Sequence, residues 1–575
     1  MDDAFAVSFG AFRLDPDGSL FRRSVRVHLT PKELALLRLL VAAAGAVVTK
    51  DQILAALWPD VNVSDDSLTR CVYALRRSLS EDRGETRCVE TVARRGYRLA
   101  LKTRAVRAGE ARRTRVAVLP FAVRGEGVEA YLGEGLAQEL IQRLGLLRGR
   151  GVDTLAWATV AATPWSADAS PRDVARAYDL DFVVTGVVRS GGERLRVAVE
   201  MVDLDGVQAW SELVERPLAD VASIEADIAA HVAQRLPLHD GPAAGSTFSR
   251  AAVAKPLAYH AYLRALHARN QSTGPDVERA LAELQRAIGE DPAFAAAHAA
   301  LGDVYAYVPI FGVMRPAEAA ARARAALGRA LALDPGLAAA YAPLGYLQWV
   351  VDWDPAAARE SFETARRLDP ASVLTKMYLE IFLTESGEFD AALEVVEGGL
   401  QLDPGSPHIA TRVSWVLACA GRHEEALARA NATVARFPYH LATYAYKGVI
   451  EAMLGRRDEA LATCERLASV PAGGMLRLAA EAYIRAACGQ DVSRLLPQLE
   501  PSGGALYVPP ALAAPVYVAL GDTGRAFAAL EEAVSIRCWW LGNALVDPRL
   551  EPLHDDPRWA AIVAARRGGA ALRSR

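Results

Sequence analysis

The sequence predicts a multidomain chain: a winged helix-turn-helix, then an α/β domain, then an all-α solenoid. Three observations carry this prediction. Capped helices followed by a basic hairpin occupy the first hundred residues, alternating strands mixed with helices fill residues 114–236, and glycines recur every 34 residues further on. At 575 residues the chain has room for about three or four domains. We place the three parts at residues 1–105, 114–236 and 257–565.

Composition favours a protein of a reducing compartment. The hydrophobic fraction is 52%, enough for packed cores, and the six cysteines are scattered without a CxxC pair. The amino terminus shows no basic region followed by an apolar run. The longest apolar stretch, residues 39–48, is far shorter than the ~20 residues that span a bilayer. We therefore expect a cytoplasmic protein without a membrane segment.

Start signals predict three helices in the first part. Thr30 and Thr49 each begin a capping box, with Glu33 and Gln52 three residues later. Acidic residues within 64–67 suit the start of a third helix. Alternating runs before these helices are typical of strands, and "CVETVARRGYRLA" after them is typical of a hairpin with a tight turn. Strands, three helices and a hairpin define a helix-turn-helix with a wing.

The third helix, at about 67–79, has two opposed faces. One is an apolar stripe with the spacing i, i+4, i+7, i+11, made of Leu68, Val72, Leu75 and Leu79. The other face begins near Asp66 and is polar and basic. Such a face fits the major groove, where arginine bonds bidentately to guanine and other side chains grip phosphate. The candidate DNA-binding residues of this helix are Thr69, Arg70, Tyr73, Arg76 and Arg77.

Basic charge is concentrated around this helix and the hairpin. Residues 70–107 contain eleven Arg and Lys against four Asp and Glu, a net +7, in a chain whose net charge is −4. Arg94 and Arg95, at the hairpin tip, are placed to reach an adjacent minor groove or its phosphates. An arginine-rich helix face alone is more often merely solvated. Combined with three helix starts and a basic hairpin, it favours a surface for a polyanion.

These motifs resemble the OmpR/PhoB-type winged-helix DNA-binding domain over about residues 7–101. The likeness rests on "LTPKE", "TKDQILAALW", "VSDDSLTRCVYALRR" and the "ETV…GYRL" wing. It implies that the helix beginning at Ser67 reads DNA and that the wing contacts the backbone or the minor groove. The family wing often has arginine directly after "TV"; this chain has Ala93 there, followed by two arginines.

Relatives in this family often take their input from a preceding receiver domain or, in the CadC/ToxR kind, from a following transmembrane helix. We expect neither here, because the winged helix lies at the amino terminus and "LKTRAVRAGEARRTR", which follows it, is a basic linker. Control of DNA binding is therefore expected from the rest of the chain.

The middle part, residues 114–236, resembles the TolB-like amino-terminal domain of bacterial signalling chains. The likeness rests on "VAVLPF", "YLGEGLAQELIQRL", "ARAYDLDFVVTGVVRSGGERLRV" and "VDLDGVQAWSE". It implies a fold and a regulatory setting but no activity. The "GEG" lacks the spacing of a phosphate loop, and Asp203 and Asp205 fit a hairpin turn better than a calcium loop.

The last part has a 34-residue period. Gly387, Gly421, Gly455 and Gly489 are each 34 residues apart, and small residues follow in phase at Ala392, Ala426 and Ala460. A turn glycine between two helices at this period is the tetratricopeptide signature, and we expect about seven to nine stacked helix pairs. Such solenoids present a groove for a protein or peptide. Candidate groove residues, which at these positions are more often packing residues, are Tyr341, Tyr444 and Lys447.

The sequence favours a bacterial transcription regulator that binds double-stranded DNA through its winged helix. Its repeats would bind a protein or peptide partner or an effector, with a small ligand and self-association as alternatives, and RNA polymerase is a further candidate partner. A non-enzymatic scaffold whose winged helix contacts protein is the main alternative, and a companion of a nucleotide cyclase on another chain is a third. We expect no enzyme, metal or cofactor, because the histidines show no HExxH spacing and no GxSxG occurs.

Overall fold

The chain divides into two compact units, Met1–Arg113 and Thr114–Arg575, which we describe separately. The computed structural model describes residues 5–9, 12–15, 17–22, 25–59, 65–79, 88–93, 95–101, 103–107, 113–124, 130–162, 170–178, 180–191, 194–203, 206–217, 221–238, 255–271, 274–311, 314–438, 440–469, 474–500 and 508–568. In these residues, no helix is long and apolar enough to cross a membrane.

The first unit contains two small sheets around three helices. Its elements are β1 (Phe5–Phe9), β2 (Phe12–Leu14), β3 (Leu20–Arg22), β4 (Val25–Val27), α1 (Pro31–Ala42), β5 (Val48–Thr49), α2 (Lys50–Leu57), α3 (Asp65–Ser78), β6 (Val89–Val92), β7 (Gly96–Leu99) and β8 (Thr103–Arg107). One antiparallel sheet has the order β4-β3-β2-β1-β8, and the other has the order β5-β7-β6. Three helices followed by the β6–β7 hairpin confirm the winged helix-turn-helix.

Both predicted capping boxes are present. The Thr30 amide donates to Glu33 Oε2 at 2.6 Å while the Glu33 amide donates to Thr30 Oγ1 at 3.4 Å. Thr49 and Gln52 exchange the same pair of bonds at 2.9 and 3.3 Å. The third helix start, predicted within residues 64–67, is confirmed, because α3 begins at Asp65; of that stretch only Ser64 lies outside the described residues.

The predicted linker after the wing is partly a strand. Residues 103–107 form β8, which pairs antiparallel with β1 from Phe5 to Phe9. The alternation "TRAVR" suits an edge strand. The prediction of a linker was wrong for this stretch because it rested on the basic composition alone. The first unit therefore includes this stretch, and its amino-terminal and carboxy-terminal strands are neighbours in one sheet.

The second unit begins with a mixed six-stranded sheet. Its elements are β9 (Thr114–Val118), β10 (Ala122–Arg124), α4 (Ala130–Gly145), a 3₁₀ turn (Leu146–Arg150), β11 (Val152–Thr154), α5 (Trp157–Ala162), α6 (Pro171–Ala177), β12 (Phe182–Gly191), β13 (Arg194–Asp203), β14 (Gln208–Pro217) and α7 (Val221–Arg235). The order is β11-β9-β12-β13-β14, with β10 beside β12. The strands β9, β10, β11 and β12 pair in parallel, and the two long hairpins β12–β13 and β13–β14 are antiparallel.

Helices fill the rest of the second unit. They are α8 (Pro256–Gln271), α9 (Gly274–Glu290), α10 (Ala295–Tyr307), α11 (Pro316–Leu333), α12 (Ala338–Leu347), α13 (Pro355–Leu368), α14 (Val373–Glu385), α15 (Phe389–Leu402), α16 (Pro407–Cys419), α17 (His423–Arg436), α18 (Leu441–Met453), α19 (Arg457–Ser469), α20 (Met475–Ala487), α21 (Leu496–Leu499), α22 (Pro510–Ala519), α23 (Thr523–Ser535), α24 (Leu541–Leu545) and α25 (Pro557–Gly568). Within the described ranges, α8 to α23 form eight successive pairs.

The 34-residue glycines have one structural role. Gly387, Gly421, Gly455 and Gly489 all adopt a left-handed φ between 72° and 79° in the turn between the two helices of a pair. Glycine takes this conformation at little cost. The alanines that follow in phase are fully buried between the paired helices, as the period predicted: Ala392, Ala426 and Ala460.

The α5 region of the α/β part contacts the helical part of the second unit directly. The Ala156 amide donates to the Leu402 carbonyl at 3.1 Å, and the Gly405 amide donates to Thr159 Oγ1 at 2.6 Å. The Thr159 hydroxyl in turn donates to the buried Asp403 carboxylate. This contact lies about four helix pairs into the solenoid, far along the chain from where the sheet ends.

Candidate nucleic-acid interface

The apolar stripe of α3 is the buried anchor of the interface. Leu68, Val72, Leu75 and Leu79 are at most 2% exposed. They belong to one core with Leu36, Leu37 and Leu40 of α1. Fully burying a leucine contributes about 1.5–3 kcal/mol. This stripe therefore fixes which face of α3 points outward, as the sequence predicted.

Exposed polar side chains cover the opposite face of α3. Thr69, Arg70, Tyr73 and Arg77 are all exposed, and Tyr73 has 59% of its surface accessible. In the part of the chain that the structure describes, the guanidiniums of Arg70 and Arg77 have no hydrogen-bond or ion-pair partner. Exposed cations beside an exposed phenol form a surface that can contact bases and phosphates.

Arg76 differs from its neighbours on α3. It is half-buried, and its Nε and Nη2 donate to the Val89 carbonyl at 3.1 and 2.7 Å. Its Nη2 also donates to Thr91 Oγ1 at 2.9 Å. Arg76 thus ties α3 to the wing strand β6. No pattern in the sequence distinguishes this arginine from the exposed ones, because its partners are backbone and hydroxyl groups of a distant strand.

The wing presents Arg95 to solvent. The Arg95 amide closes the turn by donating to the Val92 carbonyl at 3.0 Å, and the side chain is exposed. Arg94 lies outside the described residues. Gly96 follows at φ 150°, and a Cβ there would come within 2.9 Å of Thr49 Cα and closer still to the Val48 carbonyl. Glycine therefore lets the wing pack directly on β5.

Glu33 connects two helices of the interface and was known from the sequence only as a cap. Its side chain is 6% exposed, accepts from the Thr30 amide, and also accepts from Ser78 Oγ at 3.4 Å. Burial, with a contribution from Glu33, raises the pKa of the nearby Cys71 thiol. Cys71 is accordingly a packing residue of α3 and not a reactive thiolate.

The geometry of α3 suits insertion into a DNA groove. A helix with side chains is about 10–12 Å across, and the major groove of B-DNA is about 12 Å wide. The buried stripe sets the rotation of α3, and Arg76 fixes the wing beside it. The arrangement presents guanidinium, hydroxyl and phenol groups on one helix with a cationic hairpin next to it.

Comparisons with known proteins agree with this geometry. Residues 24–99 match the family described as "Transcriptional regulatory protein, C terminal". The chain is 27% identical over 420 residues to the transcriptional regulator HilA of Salmonella typhimurium, covering 71% of this chain and 72% of that one. It is 39% identical over 93 residues to the uncharacterized transcriptional regulatory protein YvcP of Bacillus subtilis, covering 16% of this chain and 39% of that one.

Among solved structures, the Klebsiella pneumoniae RstA DNA-binding domain in complex with the RstA box is similar. Its sequence is 26% identical, and the match covers 16% of this chain and 96% of that one with a TM-score of 0.16.

The amino-terminal unit is therefore an OmpR/PhoB-type DNA-binding domain, and the chain is a DNA-binding transcription regulator. Its second unit joins an α/β sheet to a solenoid of tetratricopeptide-like helix pairs.

Proposed function

We propose that α3 reads a specific DNA sequence in the major groove through Thr69, Arg70, Tyr73 and Arg77. The observation that carries this proposal is the pair of exposed guanidiniums of Arg70 and Arg77, which have no partner among the described residues, on a helix whose other face is fully buried. Arginine bonded bidentately to guanine is the commonest specific contact in such complexes. Thr69 and Tyr73 add a hydroxyl and an aromatic ring for phosphate and base contacts.

The wing contributes a second contact in this proposal. Arg94 and Arg95 reach the neighbouring minor groove or its phosphates, and Arg76 holds the wing at the right distance from α3. Arg76 thus acts mainly as a positioning residue, because its guanidinium is already bonded to β6.

The second unit is the regulatory part. Residues 114–236 are a TolB-like domain, for which the parallel strands β9 and β12 and the two long hairpins are supporting observations. The helix pairs bind a protein partner and thereby set the occupancy of the operator or contact with RNA polymerase. Tyr341 and Tyr444 donate to carbonyls six residues earlier, and Lys447 bonds Glu451 and Thr463, so all three fit packing roles better.

Selection of bound fragments from genomic DNA tests the proposal. Residues 1–113 and the full chain are used in parallel at near-physiological salt. A shared enriched motif is the expected result and identifies the targets. A motif enriched only by residues 1–113 means that the second unit holds the winged helix off DNA. Absence of any motif with either protein contradicts the proposal and favours a scaffold whose winged helix contacts protein.

A further inference from the structure

The end of the chain folds back onto the first helices of earlier pairs. We call residues 537–568 the return segment; it contains α24, a 3₁₀ turn (Pro548–Leu553) and α25. Trp539 packs edge-on against Tyr346 of α12, with ring centroids 6.0 Å apart. Arg566 of α25 donates to the Trp349 carbonyl at 2.8 Å, across 217 residues of chain. The return segment thus covers part of the face expected to receive a partner.

The receiving surface has an unusual backbone. The α12 helix ends in a π-helical turn (Gln348–Asp352), and Trp353 follows in the left-handed region at φ 59°. Two carbonyls of this turn accept bonds from the return segment, that of Trp349 and that of Val351. Such π turns are frequent at functional sites because they free backbone groups from the helix ladder.

Two arginines of the return segment lie over the tryptophans of this turn. The guanidinium carbon of Arg566 is 4.1 Å from the Trp349 ring centroid and 5.1 Å from that of Trp353. Arg537 lies 5.0 Å from the Trp353 centroid and donates to the Val351 carbonyl at 3.2 Å. An arginine guanidinium can lie over an indole ring and donate from its edge to carbonyl groups at the same time. A lysine ammonium is not planar and does not provide this combination.

A third arginine repeats the pattern further along the face. Arg549 lies 4.7 Å from the Tyr483 centroid on α20 and 5.7 Å from the Trp415 centroid on α16. Its own Asp547 forms an ion pair with it at 2.6 Å. Aromatic side chains of several first helices therefore meet arginines of one segment.

The hydrogen bonding of the buried Arg566 guanidinium is incomplete within the described residues. Arg566 is 5% exposed, yet its Nε and the Trp353 Nε1 find no acceptor among the residues that the structure describes. The nearby Glu385 accepts from the Trp349 indole at 2.6 Å instead. Arg412 on the same solenoid shows the contrast, because its Nε and Nη2 donate to the Glu380 carboxylate at 2.9 and 2.7 Å. A buried guanidinium with unmet bonds is costly.

The pKa of Arg566 also indicates that its buried site is unfavourable for the charged guanidinium. Burial, together with the positive charge of Arg537, lowers the pKa of the Arg566 guanidinium to about 10, against the opposing effect of Glu385. The guanidinium therefore stays charged at neutral pH, but its charged form is less stable in this site than in water.

The α25 helix packs on α23 and reaches the Trp349–Trp353 turn through Arg566. Trp559, Ile562 and Arg566 are 8%, 4% and 5% exposed and stand at i, i+3 and i+7, whereas the adjacent Arg567 is exposed. Anchors at these positions are how amphipathic helices occupy hydrophobic grooves.

We propose that the Trp349–Trp353 turn is a binding site for an arginine-bearing amphipathic helix, which α25 occupies as a displaceable internal ligand. The partner is a protein helix with two apolar anchors followed by an arginine, in the spacing of Trp559, Ile562 and Arg566. This inference rests on the proposed function only in assigning a protein partner to the repeats. The partner gains access by competing with α25.

The test uses the full-length chain and a fluorescein-labelled peptide of residues 554–568, "HDDPRWAAIVAARRG". Peptide binding is followed by fluorescence anisotropy. In the wild-type chain α25 occupies the site, so binding is weak. In the full-length R566A variant the site is released, and the peptide binds about tenfold or more tightly than to wild type. The matched R567A chain behaves as wild type, because Arg567 is exposed.

The peptide carries the reciprocal controls. A peptide with Arg566→Lys loses binding to the R566A chain, whereas a peptide with Arg567→Ala keeps it. Adding Trp353→Leu to the R566A chain abolishes binding by removing the receiving ring. Equal peptide binding by folded wild-type and R566A chains overturns the proposal and makes α25 a fixed cap.

Hydrogen exchange on the wild-type chain decides the question if R566A does not fold. A displaceable α25 exchanges its amides faster than α12 and α14, and excess peptide speeds this exchange further; equal protection overturns the proposal. DNA selection with the same preparations separates the two hypotheses. Retained DNA recognition with no peptide effect refutes only this inference, whereas the absence of a motif with both residues 1–113 and the full chain refutes the proposed function.

Discussion

Arg76 and Arg77 are consecutive residues of α3 with opposite surroundings. Arg76 is bonded to the wing strand at three points, whereas Arg77 is exposed on the face that also carries Arg70. A guanidinium already bonded within the protein has fewer donors left for DNA. Arg70 and Arg77 can therefore contact DNA, whereas Arg76 holds the wing strand in place.

Arg70→Ala should relax the sequence preference of the regulator. Loss of a bidentate base contact is expected to weaken the preferred site by about 1–3 kcal/mol and to leave other sequences less affected. Binding to the selected motif and to its single-base variants measures this. Arg38→Ala removes the same charge from the exposed side of α1 and is the control. A uniform loss over all sequences would instead place Arg70 on phosphate.

Arg76→Ala should loosen the wing. The change removes the two hydrogen bonds that Arg76 donates to the Val89 carbonyl, and we expect the opening free energy of β6 to fall by about 1–3 kcal/mol. Amide hydrogen exchange of Val89 to Val92 in the full chain measures the change. Arg77→Ala should leave this exchange unaltered. If instead both variants weaken DNA binding alike and leave β6 protected, Arg76 contacts DNA directly.

At the scale of elements, the sequence predicts the features that depend on nearby residues, but it does not predict contacts between distant parts of the chain. The capping boxes and the α3 stripe depend on residues within a few turns of each other, and each 34-residue repeat forms its own helix pair, so spacing alone predicts these features. Strand β8 was missed because its partner β1 lies almost a hundred residues earlier. The docking of Thr159 on Asp403 spans 244 residues and leaves no periodic trace in the sequence.

The contact between α5 and the α15–α16 turn leaves no room for a side chain at Gly405. A Cβ there would lie 2.5 Å from Thr159 Cα. We expect Gly405→Ala to destabilise the second unit by about 1–3 kcal/mol through overpacking, seen as a lower thermal midpoint. Gly398→Ala on α15 is the matched control, because its Cβ would meet only Lys376 Nζ at 3.7 Å. That change should stabilise the helix by about 0.5–1 kcal/mol. Equal midpoints for both variants would show that this contact is loose.

Asp403 should make the stability of the second unit depend on pH. Burial raises its pKa to about 6, against the opposing hydrogen bonds from Thr159. Because the folded pKa lies above the ordinary value, the protonated form favours folding, and stability falls as the pH rises from about 4 through about 6. Asp403→Asn should flatten this fall in thermal midpoints measured from pH 4.5 to 7.5. The exposed Asp555→Asn should not, and an unchanged slope in Asp403→Asn would assign the dependence to another group.

At the scale of the whole molecule, periodicity predicted the solenoid but not what covers it. A 34-residue repeat describes how each helix pair meets its neighbour. It contains no information about Arg566 reaching Trp349, since these residues belong to no common repeat. Nothing in the sequence places the arginines of the return segment, and only the structure shows them on aromatic rings.

Charge distribution gives the whole chain a strong dependence of DNA binding on salt. The net charge is −4, yet residues 70–107 alone contribute +7, so we expect attraction to DNA to come from this basic stretch and to be screened by salt. If this surface makes about 6–10 phosphate contacts, affinity should fall about 10³–10⁵-fold between 50 and 200 mM salt. Titrations of the selected motif measure the slope, which Arg77→Ala should reduce by about one if it contacts phosphate. A slope near zero would mean that the basic surface does not face DNA.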